Sequence, residues 1–483
     1  MTDVDVAIVG GGPVGVAAGL LLARRGRSVR VFERQVPIHD LPRAVGMDAE
    51  IQRVFQGCGL REELAAITTP LAGAEFLSVD GRRIVGHDFS PDDIYPLGHH
   101  PGVMFHQPEL EALLRDRAVA AGVDLRLGVE VAEVIDHGDA ATVDAGDEVT
   151  AASWVIAADG AGSEVRKALR IPFVDQGFDQ DWLVFDVRLH RPNTTLTRHA
   201  QQICDPARPA TVIPGHPPYR RWEFQLQPGE SAEEMTAPDR VWSLIEPWLT
   251  PDDGELQRAV VYRFHATVAG RFRAGRILLA GDAAHQMPPF LGQGLCSGIR
   301  DAVDLGWKLD LVLAGTSSER LLDTYDEERR PHAEQMVAHA VDTGRLIDQL
   351  AGRGDGVGLE AGYGGGRPFP SLRSGIRFGD HGAVGKPLPQ PVEDGRWFDD
   401  RLGDGFAVLV GSEGPVDAVA LDRWTGLGAT VVRIGPGDGP LAALVPPEGA
   451  VVVRPDRYVA AVVEDGGAFD RATATLFELA AVV

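Results

Sequence analysis

A glycine-rich turn near the start of the chain has the residue types and spacing needed to hold a dinucleotide. The apolar run Val6–Val9 leads into Gly10, Gly12 and Gly15, and Glu33 closes a second apolar run. Gly10 can make the tight turn, Gly12 lets the backbone approach a pyrophosphate, and Gly15 lets helix and strand pack closely. Glu33 can accept a hydrogen bond from a ribose hydroxyl. The pattern predicts a site for FAD or NAD(P), with a purely structural glycine turn as the alternative.

A second candidate motif is Asp159-Gly160, which follows the apolar run 155–158. Ser163 and Arg166 come next and are placed to begin a helix. Taken alone, these residues leave open whether the acid starts a helix or contacts a ligand.

A third motif joins a buried strand to a helix through a proline-stiffened loop. The strand ends in Gly281-Asp282, and Gly292 and Gly294 open the helix. Asp282 suits a ribityl or ribose hydroxyl. The glycines expose backbone N–H groups at a helix N-terminus, where partial positive charge stabilises an anion.

The composition is that of an ordinary globular protein. The 483 residues are 44% hydrophobic and 24% charged, and this length predicts roughly three domains. The net charge of −24 disfavours nucleic acid and anionic membranes as partners. Cys58, Cys204 and Cys296 show no metal spacing, and no apolar run reaches the length of a membrane span. We therefore expect a soluble, cytoplasmic protein without a metal site or a structural disulfide.

Changes in the hydrophobic pattern along the sequence predict the helices and strands that position these motifs. Helical and strand patterns alternate through residues 1–175, and period-two alternation over 176–270 indicates an antiparallel sheet with one buried face. The first pattern returns over 271–350, where long helices are expected at Ser297–Leu313 and from Glu319 to about Leu350. We predict an α/β, Rossmann-like FAD-type domain interrupted by a sheet domain that binds the substrate.

The remainder of the chain predicts a separate unit. Residues 351–374 are rich in glycine and indicate a flexible linker. Residues 375–483 combine short apolar strands with helical segments and contain no cysteine, so this small α/β domain cannot carry dithiol chemistry. In the first part, Val129–Val131 is also expected to be a strand.

The three motifs, in this order and at this spacing, resemble those of the single-component (class A) flavoprotein aromatic hydroxylases. The further matching segments are Pro42–Asp48, Gln107-Pro108, Asp205–Pro209 and Asp323–Arg329. Arg454–Ala460 resembles the thioredoxin-like domain appended in 3-(3-hydroxyphenyl)propionate hydroxylases and related polyketide hydroxylases. The resemblance covers essentially the whole chain and implies that the C-terminal domain is thioredoxin-like.

The resemblance implies FAD as cofactor and NADPH or NADH as co-substrate. The residues implied to bind FAD are Gly10, Gly12, Gly15, Glu33, Arg34, Arg43, Gln107, Asp159, Gly160, Asp282, Gly292, Gln293, Gly294, Leu295 and Cys296. Arg43 and Gln107 would contact the pyrophosphate and ribityl region, Asp159-Gly160 would also serve the nicotinamide cofactor, and 292–295 would meet the pyrimidine edge. The family commonly has Asn where this chain has Cys296, which we expect to be a small buried hydrophobe rather than a reactive thiol.

The resemblance also implies the reaction. NAD(P)H reduces FAD, dioxygen forms a flavin C4a-hydroperoxide, and an OH group passes to a phenol carbon ortho or para to the hydroxyl. Water must be kept away, because otherwise peroxide is released instead of product. Pro289 is implied to meet the substrate hydroxyl with its carbonyl, and His216 is a candidate for the base that takes the phenolic proton.

Alternation along the strand 219–225 places Arg221, Glu223 and Gln225 on one face, where Arg221 and Gln225 are candidate substrate ligands. Arg221 could hold a substrate carboxylate in a bidentate contact. A salt bridge in the neighbourhood of Glu223 is the alternative.

Three functions stay open at this point: a phenol hydroxylase, an oxygenase of a polycyclic polyketide, and a non-catalytic binding protein that kept the FAD fold. The Asp159 and Asp282 motifs argue against the third. The one glycine fingerprint is assigned to FAD, so nicotinamide is expected to visit the flavin transiently. We also expect the C-terminal domain to serve packing or the formation of a homodimer.

Overall fold

The computed structural model describes residues 2–40, 42–94, 96–193, 195–352, 369–413 and 417–482. The strands in chain order are β1 (Val4–Val9), β2 (Val29–Glu33), β3 (Gly46–Asp48), β4 (Thr68–Pro70), β5 (Gly73–Ser78), β6 (Arg83–Asp88), β7 (Gly102–Phe105), β8 (Asp124–Leu127), β9 (Glu133–Asp136), β10 (Ala141–Asp144), β11 (Val149–Ala157), β12 (Phe173–Leu189), β13 (Ala200–Cys204), β14 (Ala210–Ile213), β15 (Tyr219–Gln225), β16 (Gly254–Ala269), β17 (Arg273–Ala274), β18 (Ile277–Leu279), β19 (His285–Gln286), β20 (Val392–Glu393), β21 (Arg396–Trp397), β22 (Ala407–Val410), β23 (Thr430–Arg433), β24 (Ala450–Val453) and β25 (Val459–Val463). The helices are α1 (Pro13–Arg24), α2 (Ala49–Gly57), α3 (Arg61–Ala66), α4 (Gln107–Ala120), α5 (Glu164–Ala168), α6 (Ala232–Met235), α7 (Pro238–Ile245), α8 (Gly294–Leu313), α9 (Asp323–Leu350), α10 (Ala418–Gly426), α11 (Pro440–Leu444) and α12 (Gly466–Leu479).

The first sheet brings the three sequence motifs to one edge. Its strand order is β17-β18-β11-β1-β2-β8, and β18, β11, β1, β2 and β8 run parallel to one another. The carboxyl ends of parallel strands meet at the same edge of a sheet, and in open α/β sheets that edge is where ligands bind. The glycine turn follows β1, Asp159 follows β11, and Gly281 follows β18. The predicted α/β fold of this part is confirmed.

The second sheet has the order β19-β16-β12-β15-β14-β13-β5-β6 and is antiparallel except for the β13–β5 pair. The period-two pattern arises because one face packs Phe185, Trp222 and Phe224 against Val241 and Ile245 of α7. Strands β5 and β6 come from residues 73–88, well before the predicted start of the sheet domain at 176. Sequence alternation did not reveal them because β6 is mostly half-buried.

Two helices begin at different residues than predicted, and one predicted strand is wrong. Helix α8 begins at Gly294, three residues before the predicted start, and residues 319–322 form a 3₁₀ turn before α9. Val129–Val131 is not a strand. Gly128 turns the chain with φ +74°, and the N–H of Val129 then bonds the carbonyl of Glu33.

The C-terminal unit contains a four-stranded sheet with the order β23-β22-β24-β25. Strand β23 is parallel to β22, whereas β24 and β25 are antiparallel to their neighbours. The unit packs on α8, where the rings of Trp307 and Phe406 are 5.5 Å apart. The predicted linker falls mostly on 353–368, outside the described residues.

Two searches of the described residues bear on partners. No helix among them combines the length and the apolar character needed to cross a membrane. Over the same described ranges, no group of His, Cys, Asp and Glu side chains is arranged to hold a metal ion.

Candidate functional site

The glycine turn leaves one open side. Gly10 has φ +104°, and a Cβ there would lie 2.3 Å from the carbonyl oxygen of Ala158. A Cβ on Gly15 would lie 2.0 Å from the carbonyl oxygen of Gly10. A Cβ on Gly12 would meet nothing within 4 Å. Helix α1 has no side-chain cap and no acid in its first turn, so its N-terminal N–H groups are available to a phosphate.

Glu33 lies beside this turn at the end of β2. Its Oε2 accepts a hydrogen bond from the N–H of Gly11 at 2.8 Å, and its Oε1 accepts one from the N–H of Gln35 at 2.8 Å. The Glu33 carboxylate therefore stabilises the glycine turn. A contact with a ribose would be a second role. Arg34 is exposed to solvent.

The Asp159 side chain bonds the start of α5, whose N-cap residue is Ser163. Its Oδ1 accepts a hydrogen bond from the Ser163 hydroxyl at 2.6 Å, and its Oδ2 accepts one from the N–H of Val165 at 3.2 Å. These bonds favour the helix-start interpretation for the side chain. Gly160 has φ +83° and open space around its Cα, so the backbone at this strand end stays accessible to a ligand.

Gln107 holds the segment that carries Arg43. Its Oε1 accepts hydrogen bonds from the N–H groups of Arg43 and Ala44, each at 2.7 Å. The Arg43 guanidinium reaches to 3.5 Å from Oδ2 of Asp282, and these two side chains are 65% and 43% exposed. The structure thus brings together three predicted FAD residues from distant parts of the chain at the open edge of the first sheet.

A buried network that the sequence analysis did not identify holds the Gly281-Asp282 turn. Asp301 of α8 accepts hydrogen bonds at Oδ2 from the N–H of Gly281 at 3.0 Å and from His285 Nε2 at 2.7 Å. Arg329 Nε donates to the other oxygen at 2.9 Å. Burial would raise the pKa of Asp301, but His285 and Arg329 bring it below its usual range. The signal available in the sequence was Asp301 itself, a charged residue within an otherwise apolar helix pattern.

The loop before α8 ends in an open helix N-terminus. Gly292 has φ +63°, and a Cβ on Gly292 or Gly294 would meet nothing within 4 Å. Helix α8 has no side-chain cap and no acid in its first turn. Its N-terminus can therefore stabilise negative charge, as the two glycines predicted.

Neighbouring side chains in this loop are packed inward. Gln293 is buried and its Oε1 accepts a hydrogen bond from Arg300 Nη1 at 3.0 Å. Cys296 is fully buried, with its Sγ 3.9 Å from the carbonyl oxygen of Gly292. Leu295 is partly buried against the main core. The carbonyl of Pro289 accepts the N–H of Gly292 at 2.7 Å, which leaves its second lone pair for another donor.

Phe290 shows which face of the second sheet is turned toward this loop. Its ring lies 5.3 Å from that of Trp182 on β12 and 6.1 Å from that of Phe264 on β16. Side chains two residues apart on a strand share a face. The face that carries Trp182 also carries Glu223 and Gln225 of β15, because Gln225 pairs with Trp182. We call it the loop-facing surface of the sheet.

Arg221 corrects a prediction. It lies on this surface, but its guanidinium donates to both carboxylate oxygens of Asp186, at 2.8 and 3.0 Å, and to the carbonyls of Pro42 and Arg43. Four of its five N–H groups are thus used within the protein, and its side chain is only 3% exposed. The guanidinium is not available for bidentate binding of a substrate carboxylate. The alternative prediction, that Arg221 forms a salt bridge, agrees with the structure, and its partner is Asp186 on the neighbouring strand.

Glu223 is a second buried carboxyl of the loop-facing surface, near Asp186. It lies opposite Val184 of β12 and Thr211 of β14 and is 3% exposed. Burial raises its pKa to about 7, although Arg221 and Arg258 act to lower it. A carboxyl of this kind can hold or release a proton near neutral pH. The sequence placed Glu223 on the correct face without assigning it a role.

The remaining predicted residues are His216 and Gln225. His216 is in the turn between β14 and β15, and its Nδ1 is 2.8 Å from the hydroxyl of Thr69. Burial lowers its pKa. Gln225 is buried on the loop-facing surface.

The open groups fit one extended dinucleotide. Two uncapped helix N-termini, at α1 and α8, border the same sheet edge, and each is preceded by a glycine turn with room for a ligand. Between them Arg43 and Asp282 present polar groups suited to phosphate and sugar hydroxyls. The site therefore has the features of a dinucleotide-binding enzyme, with the loop-facing surface beside it.

Comparison with known proteins makes the assignment specific. The family described as "FAD binding domain" matches residues 3–340, and the chain belongs to it. It is 37% identical over 429 residues to the probable NADH-specific resorcinol 4-hydroxylase of Rhodococcus jostii, covering 85% of this chain and 79% of that protein. It is 34% identical over 521 residues to a 3-(3-hydroxy-phenyl)propionate/3-hydroxycinnamic acid hydroxylase of Escherichia coli, covering 95% and 92%.

The fold is similar to solved structures over nearly its whole length. Aklavinone-11 hydroxylase in complex with FAD and aklavinone superposes with a TM-score of 0.83 at 25% identity, covering 99% of both chains. Anhydrotetracycline hydroxylase from Streptomyces rimosus has a TM-score of 0.72 at 25% identity, with 99% of this chain and 98% of that chain covered. The chain is an FAD-dependent aromatic hydroxylase that takes its electrons from a reduced nicotinamide cofactor. The expectation from the sequence is confirmed, and the reading as a non-catalytic binding protein is excluded.

Proposed function

We propose that this enzyme uses NADH to hydroxylate a single-ring phenol and that Glu223 accepts the proton of the phenolic hydroxyl. The relatives named for resorcinol and for 3-(3-hydroxyphenyl)propionate support the choice of a single ring, and the resorcinol relative supports NADH. The position of Glu223 on the loop-facing surface is the observation that carries the proposal.

The location of Glu223 suits a base at the reacting ring. It is next to Gln225 on β15, and Gln225 pairs with Trp182, whose ring packs against Phe290 of the loop before α8. A ring bound between this loop and the sheet would therefore lie on the same face of the sheet as Glu223. A carboxyl with a pKa of about 7 suits this task because a base works best when its pKa is near the operating pH.

The protein's own groups prepare the substrate. FAD, when bound along Gly12, Arg43, Asp282 and Gly294, supplies the electron transfer and the activated oxygen. Proton transfer from the phenol to Glu223 leaves a negative charge on the phenolate oxygen. This charge raises the electron density at the ortho and para carbons of the ring. The Pro289 carbonyl would accept a hydrogen bond from a substrate hydroxyl, as the sequence resemblance implies. Phe290 and Trp182 form an apolar wall that excludes water.

The pH dependence of Glu223→Gln tests the proposal. We expect wild-type kcat/KM to rise with pH as Glu223 loses its proton near pH 7, and the variant to lose this rise together with about 100-fold or more of kcat/KM. Arg263→Gln is the matched control, because Arg263 lies on the same sheet with its side chain 59% exposed. Retention of the wild-type profile by Glu223→Gln would reject Glu223 as the base without affecting the hydroxylase assignment.

A polycyclic polyketide is the second candidate substrate. The similarity to aklavinone-11 hydroxylase, at a TM-score of 0.83, favours it. Measuring NADH oxidation and product formation with resorcinol, a 3-hydroxyphenyl acid and an anthracycline-type phenol separates the candidates. Turnover with the polycyclic phenol alone would overturn the single-ring proposal.

Three further predictions remain proposals. The sheet order of the C-terminal unit and its helices between β22 and β23 and after β25 support a thioredoxin-like domain. The burial of all three cysteines, none of which forms a disulfide, supports a reducing location such as the cytoplasm. A homodimer is the third, and light scattering of the purified enzyme tests it.

A further inference from the structure

Buried side chains connect the C-terminal domain to the loop before α8. The hydroxyl of Tyr458, which precedes β25, donates to Glu50 Oε1 at 2.7 Å. Arg300 Nε donates to Glu50 Oε2 at 2.7 Å, and Arg300 Nη1 donates to Gln293 Oε1 at 3.0 Å. These four residues join three separate parts of the chain through consecutive hydrogen bonds.

We propose that Tyr458 is a positioning residue for the flavin: through Glu50 and Arg300 it holds Gln293 and the first turn of α8 in place. The inference rests on the proposed position of the flavin pyrimidine edge at residues 292–295. It gives the C-terminal domain a role in tuning the cofactor site, which it does not touch.

The guanidinium of Arg300 is held by hydrogen bonds to three side chains. Besides Glu50 and Gln293 it bonds Asp48 Oδ2 at 2.7 Å, and the Arg300 side chain is 3% exposed. Asp48 in turn caps α2 by accepting the N–H groups of Glu50 and Ile51, each at 3.1 Å. One cation therefore sets the N-terminal ends of α2 and α8 relative to each other. A buried cation with this many directed bonds transmits a displacement of any one partner.

The direction of the first bond follows from the chemistry of the phenol. Burial and the neighbouring Glu50 raise the pKa of Tyr458 well above its usual value, so the hydroxyl remains protonated and donates. This donor occupies Oε1 of Glu50 and leaves Oε2 turned toward Arg300. Without it, the carboxylate loses the constraint that points its second oxygen at the guanidinium.

The surroundings do not force Glu50 to stay in place. A cavity of about 20 Å³ lies between Glu50, Arg300 and Tyr458, with room for about one water molecule. Removal of the Tyr458 hydroxyl enlarges this space, into which the carboxylate can turn. We therefore expect loss of the hydroxyl to displace Gln293, because close packing does not hold Glu50 in place.

Tyr458→Phe in the full-length holoenzyme tests the inference. We expect the dissociation constant for FAD to rise about threefold to tenfold, the size of one lost hydrogen bond. We also expect a more negative flavin midpoint potential, because the positive end of α8 is held less firmly at the site where reduced flavin carries its charge. The fraction of NADH oxidised to peroxide should increase.

Trp397→Phe is the matched control. Trp397 also joins the C-terminal domain to the FAD domain, with its Nε1 donating to the carbonyl of Gly98 at 2.8 Å, but this bond does not lead to Arg300. We expect the control to change thermal stability and leave the potential of the flavin unchanged. Equal shifts in potential in the two variants would mean general loosening of the interface and would overturn the inference.

A second variant covers the case in which Tyr458→Phe folds poorly. Arg300→Lys keeps the charge but loses the fork that joins Glu50, Asp48 and Gln293, and we expect the same negative shift in potential. Wild-type potentials in both variants would reject the positioning role. Failure of the wild-type protein to retain any flavin would instead reject the proposed cofactor position, so the two failures are distinct.

Discussion

Arg221 and Asp186 face each other on neighbouring strands of the second sheet, and the guanidinium of Arg221 also donates to the carbonyls of Pro42 and Arg43. One buried ion pair therefore ties the sheet domain to the segment that contains Arg43. The Arg43 segment and the loop-facing surface of the sheet are thus connected through this pair.

Arg221→Lys should weaken this connection. Lysine keeps the charge but has only three N–H donors on one nitrogen and cannot make the four bonds of the planar guanidinium, so we expect a loss of roughly 1–3 kcal/mol in the free energy of unfolding. Thermal or urea unfolding measures it. The exposed pair Arg263–Asp179 provides the control, since Arg263→Lys should change the free energy of unfolding by less than about 1 kcal/mol. Equal losses in both variants would contradict the structural role of Arg221.

Asp282→Ala should prevent stable binding of FAD and leave the fold intact. Within the described ranges the Asp282 carboxylate has one long contact, 3.5 Å to Arg43, and is 43% exposed, so we expect the fold not to depend on it. A charge-assisted bond to a ribityl hydroxyl contributes roughly 1.5–3 kcal/mol, which corresponds to about 10- to 150-fold in affinity. Absorbance at the flavin maxima of the purified variant measures the bound cofactor, with exposed Asp252→Ala as the control. Full flavin content in Asp282→Ala would disprove the assignment.

Glu223 should make the folded state less stable at alkaline pH. Its pKa is raised in the fold to about 7 from a usual 4.5, so its contribution to stability is fully present below pH 4.5 and is lost as pH rises through 7. Glu223→Gln cannot ionise and should gain stability relative to wild type between pH 5 and 8, by roughly 1–3 kcal/mol. Denaturant unfolding at pH 5 and pH 8 measures the difference. A wild-type-to-variant difference independent of pH would rule out the raised pKa.

The sequence was sufficient to predict the architecture because the motifs and the periodicity are local signals. The glycine turn, the strand ends at Asp159 and Asp282, and the alternation in β15 each depend on residues within one segment. The partner of Arg221 was missed because Asp186 becomes its neighbour only through strand pairing. Asp301 was missed for the same reason, since its bonds to Gly281 and Arg329 join three distant segments.

Truncation after Leu350 should leave an unstable protein. Trp307 of α8 packs against Phe406, and the buried Lys308 and Arg454 share the carboxylates of Asp304 and Glu328. Removing the domain exposes the indole and takes away one cation from these two carboxylates, which is costly in a buried site. Solubility, oligomeric state and NADH-dependent activity of the shortened chain measure the effect. A soluble, fully active truncated protein with the native oligomeric state would show that the domain has no packing role.

Substrate should control the reduction of the flavin by NADH. The only glycine fingerprint recognised in the sequence is the one assigned to FAD, which favours a transient visit by nicotinamide over a dedicated site. Arg43 lies in an exposed position at the edge of the site, while its backbone is held by Gln107 and Arg221. A bound phenol against the loop-facing surface would act on β15 and therefore on Arg221 and the Arg43 segment. Gating of this kind avoids loss of reductant as peroxide.

Stopped-flow reduction of the bound flavin should accelerate many-fold when a phenol that the enzyme hydroxylates is present. Arg221→Lys should reduce that acceleration more than it reduces FAD binding. Equal rates with and without the phenol in the wild-type enzyme would remove the gating and leave the hydroxylase assignment in place.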